Sequence, residues 1–205
     1  MFPELPRPVR QFVTACFLLE MVSLGGSIGG FGSSIRNVLL VLGGFWPEVF
    51  MGAVPFFPGH GVLMFATSAV LHGNPVHLGM NMFGLIWLGP MVVDRLGERG
   101  FWPLAGLSAL GAGSCYALMT NSTLPMIGAS GVLYGLLGTV CVWKVLDQWM
   151  RGRSLMPFAA PAAIFIGLNV LLMLPARGQI AWEAHLGGFI AGVLCGVLTW
   201  RSALR

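Results

Sequence analysis

Apolar residues run in long blocks along this chain, separated by short polar or basic links. A helix needs about 20 mostly apolar residues to cross a bilayer. By that measure the pattern predicts six spans, at about 11–28, 74–93, 101–120, 130–146, 157–174 and 184–200. Arg7, Arg10, Pro3, Pro6 and Pro8 make a basic lead-in to the first. Glu20 interrupts the apolar run behind them and no A-x-A cleavage site follows, so this span reads as a retained helix and not a signal peptide. The link at about 29–73 is long but not polar. Gly25, Gly26, Gly29, Gly30 and Gly32 break the preceding helix, Ile35–Phe45 and Pro47–Val54 read as short amphipathic pieces, and Pro55, Pro58 and Gly59 follow. Such a loop is expected to lie partly in the membrane interface, anchored by Trp46, Phe56 and Phe57.

Composition supports that reading. Counting glycine and leaving out tyrosine, the apolar share of the 205 residues is about 70%, against roughly 45–50% for soluble domains. Charged residues are 9%, too few to cover a soluble surface. A soluble globule, a disordered chain and a nucleic-acid module are excluded, the last because the basic residues form no stripe. The pattern predicts an all-α polytopic membrane protein, with residues 1–205 as one domain and a short cytoplasmic N-terminus at 1–10. Nine basic residues fall on one side of the six spans, and two, Arg36 and Arg177, on the other. That split predicts both termini in the cytoplasm. Cys16, Cys115, Cys141 and Cys195 sit in apolar runs without metal-ligand spacing or a disulfide framework.

Polar groups in hydrocarbon are costly and mark candidate sites. His77 and Asn81, four apart, share one helix face and can donate two hydrogen bonds toward one point. They also suit plain interhelical bonding. Ser130, in Gly128-Ala129-Ser130-Gly131, opens the fourth span, where first-turn amides lack helical partners and the helix dipole favours negative charge. A nucleophile there has its own N–H at hand for an oxyanion; a small-residue packing patch is the bland alternative. His185 opens the sixth span, followed by Gly188, Gly192 and Gly196 at four-residue steps. Gly131, Gly135 and Gly138 offer a matching face on the serine helix. Two such helices can approach closely and bring Ser130 and His185 within hydrogen-bond reach, the pairing that activates a hydroxyl. Tyr134, one turn beyond Ser130, can support the imidazole. Asp94 lies beside Arg95, Asp147 in a basic link, and Glu183 two residues from His185, so a Ser–His dyad is expected and not a triad. Paired intramembrane aspartates and H-E-x-x-H zinc ligands are missing, so neither an aspartyl nor a zinc protease fits. No metal or cofactor is expected. His72 and His77 are poorly spaced for one metal, and His60 reads as a solvated or structural loop residue. Glu20 reads as structural, neutral inside the bundle or near a helix end, so Glu20→Gln is expected to leave activity nearly intact.

Taken together, His72…His77-x-x-x-Asn81, Leu88-Gly89, Arg95-Leu96-Gly97, Gly128-Ala129-Ser130-Gly131…Tyr134 and Ala184-His185-x-x-Gly188-x-x-x-Gly192 resemble the rhomboid intramembrane serine proteases, over about residues 60–200. The resemblance implies a six-helix bundle with a water-filled cavity open away from the cytoplasm and a membrane-embedded first loop at 29–73. It implies Ser130 as nucleophile, His185 as general base and acid, and an oxyanion hole of His77, Asn81 and the Ser130 N–H. Gly128, Gly131, Gly188, Gly192 and Tyr134 would support them. It implies single-span membrane proteins as substrates, the lipid bilayer as surroundings, and a gate formed by 157–174 and 175–183. The Trp-Arg pair common in the family's first loop is absent, since Pro47 follows Trp46. A bacterial inner membrane is the expected location. A catalytically silent relative that binds membrane clients is the rival reading, but such relatives typically lack the dyad residues. A transporter would call for inverted repeats or paired intramembrane charges, which the sequence lacks.

Overall fold

The computed structural model describes residues 4–28, 32–154, 167 and 181–200. Among them the elements are α1 (Arg7–Ile28), α2 (Gly32–Gly43), α3 (Pro47–Phe50), α4 (His60–Thr67) with a 3-10 turn at Ser68–Val70, α5 (Pro75–Met119), α6 (Ser130–Met150) and α7 (Trp182–Thr199). No strand occurs among the described residues beyond one antiparallel bridge between Phe45 and Met126. Three of the described helices, α5, α6 and α7, are long and apolar enough to cross a membrane. The spans expected at 74–93 and 101–120 are the two arms of α5. They meet at Gly97, whose φ of 72° and ψ of 169° leave the helical region and suit a residue without a Cβ. All of the span at 157–174 but residue 167, most of the gate at 175–183, and Arg177, Arg201 and Arg205 lie outside the described residues.

Contacts between elements fix their directions. The first arm of α5 runs parallel to α6: His77 lies against Gly128, Gly84 against Leu133, and Arg95 pairs with Asp147 at 2.9 and 3.1 Å. The second arm runs back, with Ser108 against Gly135 and Ala112 against Gly131. α7 runs parallel to α6, from His185 beside Ser130 to Trp200, whose indole N–H donates to Asp147 at 2.8 Å. α1 begins at the Gly97 bend, where the Arg7 N–H donates to Glu98. One end of the bundle therefore carries Arg7, Arg95 and Asp147, and the other His77, Ser130 and His185. Arg95 also sits 4.7 Å over the Trp143 ring. Between the ends, Phe83, Trp87, Leu194 and Leu198 form part of an exposed apolar belt. Among well-hydrated groups this would be unfavourable, but it suits lipid.

The helices meet on glycine. A Cβ at Gly188 would strike the Gly131 carbonyl, one at Gly192 the Gly135 carbonyl, and one at Gly138 the Phe189 carbonyl. α7 uses a second glycine face as well: Gly187 meets Gly111 on the second arm of α5. Two side chains of α6 pin the seam. Thr139 donates to the Gly192 carbonyl at 2.8 Å, and Trp143 to the Gly196 carbonyl at 3.0 Å.

Residues 32–73 of the link are more ordered than their sequence indicates. α1 continues through Gly25 and Gly26 to Ile28, since a helical glycine costs only about 1 kcal/mol. The second amphipathic piece is a single turn at Pro47–Phe50. The solvated alternative for His60 does not hold. It opens α4, is fully buried, and lies under Phe56 and Phe57 with ring centroids 5.4 and 4.9 Å away. Of the expected interface anchors, Phe56 is exposed, while Trp46 packs on Phe56 at 5.6 Å and donates to the Val41 carbonyl at 3.1 Å.

Gly188→Val is expected to force α6 and α7 apart and lower the melting temperature in detergent sharply. Gly106→Ala, where an added Cβ meets nothing within 4 Å, should raise it slightly. Equal melting temperatures for the two variants would contradict the close seam.

Candidate active site

Ser130 is the first residue of α6, behind Gly128 and Ala129. Gly128 has a φ of 127°, a conformation open to glycine, and this turn aims the serine at the start of α7. His185 lies in the first turn of α7 and is buried. Its Nε2 is 2.9 Å from the Ser130 Oγ. The Tyr134 ring stacks on the imidazole, with centroids 4.2 Å apart and planes 26° from parallel. Nucleophile and ring platform thus come from one helix and the base from the other, held in register by the glycine seam.

His77 and Asn81 lie in the first two turns of α5. The Asn74 side chain caps that helix, accepting from the His77 N–H at 2.9 Å. A Cβ at Gly128 would sit 2.8 Å from the His77 Cε1 and Nε2 and 3.7 Å from the Ser130 Oγ, so the bare α-carbon lets imidazole and serine share one corner. Asn81 is buried and gives one amide hydrogen to the His77 carbonyl at 3.0 Å. A primary amide has a second hydrogen for another acceptor. The structure therefore gathers Ser130, His185, Tyr134 and His77 at one end, with Asn81 a turn below His77. Asp147 is engaged by Arg95 and Trp200 at the far end of α6, about 25 Å away at 1.5 Å per residue. It is out of reach as an orienting carboxylate for His185.

The sequence reading missed three contributors. Arg36 donates to Glu20 at 2.8 and 3.3 Å and so ties α2 to α1. Thr139 and Trp143 tie the seam. A threonine amid apolar residues and a lone arginine in an apolar loop were the available signals. His72 is buried, and its ring meets the His77 ring edge-on at 5.1 Å. Its Nε2 accepts from the Ala129 N–H at a long 3.5 Å. No group of three metal-ligating side chains occurs among the described residues.

The family model of the Rhomboid domain matches residues 60–202. The chain is 30% identical over 141 residues to Rhomboid-like protease 5 of Toxoplasma gondii, covering 64% of this chain and 16% of that protein. It is 31% identical over 137 residues to RHOMBOID-like protein 1 of Arabidopsis thaliana, covering 67% and 34%. It is 33% identical over 141 residues to the mitochondrial Rhomboid protein 1 of Saccharomyces cerevisiae, covering 63% and 39%. The matched region thus spans well under half the length of each of these relatives.

His72 lies outside the spanning helices. Its burial, and then the neighbouring His77, push its pKa from 6.5 down to about 4. The unfolded chain then binds this proton more readily than the folded one. Stability from the neutral imidazole is complete above about pH 6.5 and is lost as pH falls toward about 4. Melting temperatures across that window should fall less steeply for His72→Gln than for the unmodified protein. Parallel slopes would contradict the assignment.

Proposed function

The chain belongs to the rhomboid family, and on that premise we propose that it is an intramembrane serine endopeptidase working through a Ser130–His185 dyad. The 2.9 Å contact between the Ser130 Oγ and the His185 Nε2 carries this reading. In the first step the Ser130 Oγ attacks the scissile carbonyl carbon and His185 takes the hydroxyl proton. The negative charge that develops on the carbonyl oxygen is met by the Ser130 N–H at the positive end of α6, the His77 imidazole and the free Asn81 amide hydrogen. His185 then returns the proton to the leaving amine, and the C–N bond breaks to give an acyl-enzyme. Water, deprotonated by the same imidazole, attacks the ester, and the acid product leaves as the proton returns to Ser130.

The substrates proposed are single-span membrane proteins, cut in or near the span. A substrate helix has its peptide groups already paired and must unwind locally before attack. Glycine and proline near the scissile bond make that easier. A six-span bundle is proposed, with 157–174 as the fifth span and the 29–73 link partly embedded in the membrane. The positive-inside bias puts the Arg7–Arg95 end, and both termini, in the cytoplasm, and so opens the serine end to the opposite side. A bacterial inner membrane is the compartment proposed.

Labelling of the purified protein with a fluorophosphonate is the test. Labelling of the unmodified protein, lost in Ser130→Ala and His185→Ala, is expected. A folded protein unlabelled in both detergent and lipid would favour a client-binding, non-catalytic relative. Asn81→Ala should slow cleavage of a single-span substrate by about 10²–10³-fold, the usual effect of removing one oxyanion donor. Unchanged turnover in that variant would remove Asn81 from the site.

A further inference from the structure

The segment from Ser68 to His77 straps the serine turn to the start of α5. The Ser68 carbonyl accepts from the Gly128 N–H at 2.9 Å, and the His72 Nε2 accepts from the Ala129 N–H. At the other end of the strap, Asn74 holds the His77 N–H. The two residues that lead into Ser130, Gly128 and Ala129, and His77 on α5 thus depend on where this strap lies. Its middle is tethered from outside the bundle core. Arg36, on α2, donates through Nη1 to the His72 carbonyl at 2.6 Å. The same guanidinium grips Glu20 on α1 through both nitrogens. The Glu20 side chain is 1% exposed and that of Arg36 26%. A carboxylate buried to this degree needs a partner, and a planar fork can serve a carboxylate and a carbonyl together in one fixed geometry.

We propose that the Glu20–Arg36 pair is a positioning device for the active site, in which Glu20 fixes the guanidinium and Arg36 holds the His72 strap against the serine turn. Neither residue touches substrate. The pair sets the Ser130 turn and the His77 ring at their working distance. This rests on the serine-protease reading above, and it replaces the purely structural role that the sequence suggests for Glu20.

The test separates position from stability. Glu20→Leu combined with Arg36→Met removes both charges together, so neither is left buried alone, an exchange that is commonly neutral or stabilising for the fold. The readout is inactivation by a fluorophosphonate in detergent, resolved into the maximal rate kinact and the half-saturating concentration KI. The expected result is an unchanged melting temperature, an unchanged KI and a kinact lower by about 10- to 100-fold, the scale on which small remote misplacements act. A folded double variant with normal kinact overturns the positioning role and leaves the serine reading intact. If the double variant fails to fold, Arg36→Lys decides. It keeps a charge for Glu20 but loses the fork, so kinact should still fall at constant KI, and a normal kinact overturns the proposal. An unmodified protein that is never labelled overturns the serine reading, and this inference with it.

Discussion

The approach of α6 to α7 is limited by backbone atoms and not by side chains. Where Gly131 and Gly135 face Gly188 and Gly192, a carbonyl of one helix occupies the space a Cβ would need on the other. Lipid gives two apolar helices no hydrophobic reason to associate, so close van der Waals packing and interhelical hydrogen bonds must hold them. The bonds from Thr139 and Trp143 contribute modestly, about 0.6 kcal/mol each by the average for such bonds. Their larger effect is on register. Both acceptors are glycine carbonyls on the seam, so a slip along the axis would break them and drive side chains into the backbone. Register along this seam in turn sets the 2.9 Å between Ser130 and His185 at its end.

The two ends of the bundle handle polar groups differently. At the Arg95 end, guanidinium, carboxylate and two indoles from three helical segments satisfy one another: Arg95 pairs with Asp147, lies over Trp143, and shares Asp147 with Trp200. This ties the three helical segments together at that end. At the Ser130 end the polar groups are arranged around a helix start, whose first-turn amides the helix cannot satisfy. On the proposed reading these are the donors that catalysis draws on. The difference between the ends follows from helix direction, because α6 and α7 both begin at one end and finish at the other.

Much of this was legible in the sequence, and the parts that were not share a cause. His77 and Asn81, the Gly-Ala-Ser-Gly turn and the four-residue glycine steps of α7 all declare themselves through spacing, because a helix converts spacing directly into facing. The Gly111–Gly187 contact and the Arg36–Glu20 pair have no such periodicity. They join residues from different elements, and proximity there is a product of the tertiary fold. The 29–73 link was hardest for the same reason. Its aromatic residues carry no helical or strand period, and its order comes from packing: Phe45 is fully buried against Phe65 and Tyr116, and its backbone pairs with Met126. His60 could not be read as buried without knowing that Phe56 and Phe57 fold over it.

The proposed dyad has a structural logic. A carboxylate that orients a histidine must itself be desolvated, and within the membrane that is expensive. Here Tyr134 stacks on the His185 ring and Ser130 meets its Nε2, and both belong to the first turns of α6. These two contacts set the plane and direction of the imidazole from one helix, and neither buries an additional charge. What this arrangement demands in exchange is accuracy between two helices, since Ser130 and His185 stand on different ones. The glycine seam supplies that accuracy over its whole length, and the strap from Ser68 to His77 supplies it on the opposite side of the serine turn.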